Sequence, residues 1–375
     1  MNAHEARIAN APAVFVDLSA SLPQMAGSRG DAQAWPSGGH QIGLAQWKPP
    51  ERKRHIMNTL QSCAVALLLA VSTGISATAL AQTAQILVDR DACINSNNAA
   101  TPEPAIAACT RLLEALARGE ISGPEGAAVH VARGNLHAAR GDVERAIGDY
   151  DRAIMLDPNR AVACFNRAGA LAASGEIDRA LADYDRAIEL DPMDADAHVG
   201  RGRAHYQKKD YAAAIADYDA ALRLAPGDVE ALAERGDAHE RAGLYDRAAE
   251  DYSRLIFIEP RNAKTWNNRC WDRAVLGRLE EALTDCNEAL RLAPDDPGTL
   301  DSRGFTYLKL GRFEQAVVDY DAALARNPRE PGSLYGRGLA GLGQNDPGGG
   351  RADLAAAKAL DPGVAEEFRR YGLGE

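Results

Sequence analysis

Six cysteines, eight histidines and a recurrent series of arginines and aspartates are the residues of this 375-residue chain whose types could do chemistry. Four of the cysteines fall into two pairs of equal spacing, Cys93 with Cys109 and Cys270 with Cys286. Neither pair has the C-x-x-C spacing of a redox motif, so thiol–disulfide catalysis is not expected. His130 with His137, and His198 with His205, are i,i+7 pairs. On a helix that spacing is about 10.5 Å, too far for one metal ion without outside ligands, so packing is their expected role and no metal site is expected. No Glu-x-x-His, nucleophile elbow or glycine-rich phosphate loop occurs. Neither catalysis nor a cofactor is expected from such a chain.

The elements that carry these residues are set by a period. Pro158, Pro192, Pro226, Pro260, Pro294, Pro328 and Pro362 follow one another at a gapless 34-residue interval. Ahead of them recur a tyrosine (Tyr150, Tyr184, Tyr218, Tyr252, Tyr320), an alanine (Ala146, Ala180, Ala214, Ala248, Ala282, Ala316) and a small residue (Gly134, Ala168, Gly202, Gly236, Cys270, Gly304, Gly338). Within residues 297–330, Leu300, Gly304, Tyr307 and Leu308 lie at helical spacing, and Gly311 breaks the run. Phe313, Ala316, Val317, Tyr320, Ala323 and Leu324 then form a second helical face that Pro328 closes. Two helices joined by a tight turn make an αα-hairpin. Its gapless repetition predicts an all-α solenoid in which each unit buries its apolar face against its neighbours.

The pattern of a small residue, then alanine, an aromatic, alanine and proline at set spacing resembles the tetratricopeptide repeat. Residues 127–330 match in six copies. Residues 331–364 match poorly, because Pro347-Gly348-Gly349-Gly350 is expected to spoil the turn and the start of the second helix. Turns are expected near Gly141, Gly175, Lys209, Gly243, Gly277 and Gly311.

Aligned to this repeat, Cys270 stands at the small-residue site of a first helix and Cys286 at the tyrosine site of the second, which face each other. Residues 91–116 read as an irregular hairpin in which Cys93 and Cys109 occupy the same two sites. Two disulfides within hairpins are therefore expected, each contributing on the order of 3 kcal/mol. An arginine precedes the small site in every copy (Arg133 to Arg337), and an aspartate precedes the aromatic site (Asp149 to Asp353). A ladder of structural Arg–Asp pairs is the simplest account.

By the same resemblance, first helices line a concave groove that holds a protein or peptide. The candidate partner-binding residues are Asn135, Phe165, Asn166, Arg203, Tyr206, Asn267, Asn268, Trp271, Phe305 and Lys309. Trp271 and Phe305 are expected to form an exposed aromatic hot spot, with Asn267 and Asn268 bonding a peptide backbone. The lysines with which some family members clamp a chaperone's terminal carboxylate have no counterpart: Val131, Asp196 and Gly200 stand there.

Beyond the repeats, residues 1–56 show no periodicity and read as a disordered leader, possible product of an upstream start codon. Arg52-Lys53-Arg54, the apolar run 63–80 and Ala79-Leu80-Ala81 read as a signal peptide over 57–81; a single uncleaved anchor is the alternative. Residues 82–126 are expected to cap the array at one end and residues 331–375 at the other, where Val364–Tyr371 should be a helix. The net charge of −11 is more negative still after the leader, and no basic cluster follows it, so no nucleic-acid partner is expected. The expected protein is a bacterial, periplasmic or secreted, non-enzymatic binding scaffold. Its alternatives are a fixed accessory subunit of an envelope assembly (secretion, polysaccharide export or wall synthesis) and an enzyme with an unfamiliar site. N-terminal sequencing of the exported protein should return Gln82; a start at or before Met57 would contradict the signal peptide.

Overall fold

The computed structural model describes residues 77–94 and 102–374, and the leader and residues 63–76 of the apolar run lie outside them. The described residues form seventeen helices and no strand, and none of these helices is long and apolar enough to cross a membrane. The chain divides into two compact units, up to Asp142 and from Val143 onward.

The first unit holds α1 (Ala77–Ile94), α2 (Glu103–Ala117) and α3 (Gly123–Ala139). α1 is longer than the hairpin expected from residue 91 and runs through the Ala81–Gln82 junction. Cys93 lies in its last turn and is joined to Cys109 of α2, with Cα atoms 4.9 Å apart. Beside the bridge, Arg111 grips the buried Asp89, its Nε and one terminal nitrogen donating at 2.6–3.1 Å. α3 starts where Ser122 accepts from the Glu125 backbone and Pro124 sits in the first turn.

The second unit opens with α4 (Val143–Leu156) and continues as six hairpins: α5 (Ala161–Ala173) with α6 (Ile177–Leu190), α7 (Ala195–Gln207) with α8 (Tyr211–Leu224), α9 (Val229–Arg241) with α10 (Tyr245–Ile258), α11 (Ala263–Val275) with α12 (Leu279–Leu292), α13 (Pro297–Lys309) with α14 (Phe313–Arg326), and α15 (Pro331–Gly343) with α16 (Pro347–Leu360). α17 (Val364–Arg370) follows. Asp194, Asp228, Asn262 and Asp296 start first helices by accepting from backbone amides of the first turn.

Close approach of the two helices in a hairpin rests on the small residue. A methyl group on Gly202 would come within 2.7 Å of the Tyr218 ring, and one on Gly236 within 2.9 Å of Tyr252. Rings at this position also cover the next first helix: Tyr184 lies over Gly200 and Tyr320 over Gly336, where a methyl would collide with them. In the α11–α12 hairpin the ring and its small partner are replaced by Cys286 and Cys270, which are bonded with Cα atoms 5.4 Å apart. Both expected disulfides are thus present in the structure.

Each ladder arginine of the second unit reaches both ways. Arg167 donates through Nε and one terminal nitrogen to Asp183 of its own hairpin and through the other to Asp151 of α4, all at 2.6 Å. Arg201 does the same with Asp217 and Asp185, Arg235 with Asp251 and Asp219, and Arg337 with Asp353 and Asp321. Ser253 and Asn287 take the backward bond from Arg269 and Arg303. In the first unit, Arg133 donates to Thr110.

Successive first helices pack on one another, whereas no comparable contact links successive second helices among the described residues. First helices therefore line the inner side of this stack. The α15–α16 hairpin corrects the sequence reading, since Pro347-Gly348-Gly349-Gly350 does not spoil it. Asp346 caps α16 by accepting from the Gly349 amide, and Pro347 sits at its first position, where no amide donor is needed.

Every hairpin turn of the second unit carries one left-handed residue: Gly175, Gly243, Gly277 and Gly311, but also Lys209 and Asn345, both at φ 62°. A left-handed side-chain-bearing residue costs about 1–2 kcal/mol, which the greater freedom of glycine in the unfolded chain partly offsets. Lys209→Gly should stabilise the protein by about 0.5–1 kcal/mol, and Gly243→Ala should destabilise it by a similar amount, both read from urea midpoints. A Lys209→Gly midpoint at or below the wild-type value would show that the turn is unstrained.

Candidate functional site

The inner face of the second unit is stitched by polar contacts between neighbouring first helices. Arg203 of α7 pairs with Glu230 and with Glu234 of α9, the latter at 3.2 Å. Tyr218, behind them, donates to Glu234 at 3.2 Å, and burial pushes the Glu234 carboxyl up. Tyr206 lies edge-on against Tyr211 with ring centroids 5.4 Å apart. Further along, Tyr252 donates to Asp237 at 2.7 Å.

Beside Asp237 lies the least satisfied spot of the face. Asp272 of α11 is 0% exposed, and neither of its oxygens meets a donor. The group it faces is the Glu240 carboxyl, so a bond between the two forms only when one carries the proton. Burial, with the Glu240 and Asp237 charges adding, pushes Asp272 well above the usual carboxylate range, and burial does the same to Glu240. Glu240 Oε1 and Asn267 Oδ1 are also buried acceptors without a donor. Asp272 escaped the sequence reading, although the period marks it: Ala170, Ala204, Ala238 and Ala340 stand at its position in other hairpins.

The structure distributes the remaining candidates unevenly. Asn135 lies on α3 of the first unit, half-buried. Phe165 and Asn166 are half-buried on α5, Phe165 edge-on to Tyr184 at 5.9 Å. Arg203 and Tyr206 are engaged as described, and Asn268 is buried. Lys309 is not a free cation for a partner: its Nζ donates to the carbonyls of Ala274 and Val275 at the end of α11, at 2.9 and 3.2 Å, and burial lowers its pKa.

The aromatic hot spot needs the largest correction. Trp271 and Phe305 do meet, with centroids 4.8 Å apart, but they are not an exposed pair. Phe305 is 1% exposed. Tyr371, just after α17, lies edge-on to Trp271 at 5.3 Å and to Phe305 at 5.9 Å, and Phe368 of α17 stacks on Phe305 at 5.9 Å. Tyr371 also reaches Tyr245 at 6.5 Å. The chain's own C-terminus occupies the inner face there. Sequence spacing could not show this, because residues 245, 271, 305 and 371 belong to four different units of the period.

Tetratricopeptide repeat models match residues 127–160, 165–229, 210–263, 234–297 and 303–365. The chain belongs to the tetratricopeptide repeat family. No curated protein matches its sequence. Solved structures resemble it, two of them of tetratricopeptide repeat proteins. One is YrrB, described as having an unusual peptide-binding site (25% identity, 49% of this chain and 95% of that one, TM-score 0.46). Another is a protein of Parabacteroides merdae (20% identity, 68% of this chain and 98% of that one, TM-score 0.46). MamA is a third (22% identity, 45% of this chain and 92% of that one, TM-score 0.43).

The carboxyl pair gives this tetratricopeptide array a pH signature. Two carboxyls whose folded-state pKa lies above the ordinary value of about 4 hold protons that the unfolded chain has lost. Their contribution to stability is therefore full below that value and falls as pH rises through neutrality. Asp272→Ala, which places there the residue of four other hairpins, should raise stability at pH 8 by about 1–3 kcal/mol and make the fall from pH 5 to pH 8 shallower. Chemical denaturation at both pH values decides this, and an unchanged slope would show that the pair is not held protonated.

Proposed function

We propose that this protein is an exported, non-catalytic scaffold of the bacterial cell envelope that captures a protein segment on the inner face of its repeats. Family membership supports protein binding. The apolar run before Ala79-Leu80-Ala81 and the two disulfides support export, since disulfides persist in oxidising compartments.

One observation carries the choice of partner chemistry. The middle of the inner face offers acceptors that lack donors, at Asp272, Glu240 and Asn267, beside further carboxylates at Asp237 and Glu234. Glu240 and Asn267 are half-buried residues on the inner face, unlike Asp272. An extended segment carrying lysine or arginine supplies donors and opposite charge together, and opposite charge lowers the cost of ionising a buried carboxyl. Arg203, held between Glu230 and Glu234, closes the other side.

Fluorescence anisotropy with short labelled peptides tests this reading. Lysine- and arginine-bearing peptides should bind, more weakly at higher salt, whereas their glutamate-bearing counterparts should not. The pair Asp237→Asn and Glu240→Gln should weaken binding by about tenfold, or roughly 1.4 kcal/mol. Equal binding of both peptide classes, or unchanged binding by the charge-neutral variant, would contradict it.

A further inference from the structure

The segment that covers Trp271 and Phe305 is a weakly built helix. α17 spans only seven residues, and Gly363 before it gives no side-chain cap. Such a helix does not persist by its own backbone bonds. Pro362 and Gly363 precede it, and Gly372 at φ 82° ends it. Its charged side chains bond within the segment, Arg369 to Glu366 at 2.6 Å and Tyr371 to Glu367 at 3.4 Å. What seats it is a row of apolar side chains, Val364, Phe368 and Tyr371, at i, i+4 and i+7 on one helix face. Val364 and Phe368 are buried. Phe368 packs on Tyr335 at 4.8 Å as well as on Phe305.

Val364 and Phe368 cap the last hairpin, a task every solenoid end requires. Tyr371 goes further than a cap needs, reaching α11 and the start of α10, two and three hairpins back. The floor it covers is aromatic and rigid, the kind of surface that concentrates binding energy. We propose that the Trp271–Phe305 floor is a binding site for a helical segment of a partner protein that carries two aromatic side chains one turn apart, and that Phe368 and Tyr371 occupy it as a built-in competitor. The partner must then displace the tail, and its apparent affinity is reduced by the fraction of molecules in which the tail is seated. Covalent attachment gives the tail a high effective concentration, so a short free segment binds the intact chain poorly. This inference rests on the inner face being the binding face, but it concerns a different stretch from the carboxylates at Asp237 and Glu240.

The probe is a labelled synthetic peptide of residues 361–375, with a control peptide in which both aromatics are alanine, titrated against the full chain by fluorescence anisotropy. Full-length Phe368→Ala/Tyr371→Ala should bind the aromatic peptide at least tenfold more tightly than wild type does. Addition of Trp271→Ala should abolish that binding, and the control peptide should bind neither protein. If the double variant loses helical content, Tyr371→Ala alone, which leaves Phe368 in place as the cap, should bind at least threefold more tightly than wild type. Equal binding by wild type and variant would overturn the proposal, as would no binding by a variant with unchanged helical content. A concentration-dependent dimer of the variant would also overturn it, since the occupant would then be the tail of a second copy. If basic peptides bind while the aromatic peptide does not, this inference fails and the proposed function stands.

Discussion

The crossing of the two helices within each hairpin is the contact on which the rest of the second unit depends. A tyrosine ring can lie flat against a helix only where the facing residue has little or no side chain, and Gly202, Gly236 and Gly304 provide that space. The Tyr320 ring lies against both Gly304 and Gly336 of the following first helix, so one side chain sets both the angle within that hairpin and the distance to the next. Buried aromatic surface of this size supplies much of the apolar burial that each unit lacks alone. The α11–α12 hairpin uses a covalent bond instead of the ring, Cys270 with Cys286. Both solutions hold the first helices together on the inner side.

The arginine ladder fixes what the rings leave free. Rings slide over a surface, whereas a guanidinium bonded to two carboxylates has one orientation. Because Arg167, Arg201, Arg235 and Arg337 bond forward within the hairpin and backward to the preceding second helix, each registers three helices. The forward half was legible in the sequence as the regular aspartate before each aromatic site. The backward half was present too, in the Asp-Tyr-Asp runs at 149–151, 183–185, 217–219 and 319–321, but the second aspartate gains meaning only once the stacking distance is known.

Legibility followed periodicity throughout. Helix positions, turns, the two disulfide pairings and the cap at Val364 and Phe368 all repeat or close a local pattern, and the structure places them accordingly. What escaped was aperiodic. The length of α1 follows from no repeat signal. The path of the tail from α17 back to Trp271 and Tyr245 is a tertiary event between residues far apart in the chain. The regular α15–α16 hairpin escaped for another reason: proline at a first helical position reads as a breaker unless the Asp346 cap before it is recognised.

The inner face that results has two chemically distinct stretches. Around Glu240 and Asp272 it is acidic and short of donors, and burial raises the pKa of both carboxyls. Around Trp271 and Phe305 it is aromatic and covered by the chain's own C-terminus. The second arrangement can be seen in the unmodified protein by nuclear Overhauser contacts between the Tyr371 ring and the Trp271 indole, with selectively labelled aromatic side chains. At a centroid separation of 5.3 Å these protons lie close enough for a cross-peak, and the account predicts one. A Tyr371 ring that shows no contact to Trp271 while retaining the shifts of a solvent-exposed tyrosine would contradict it.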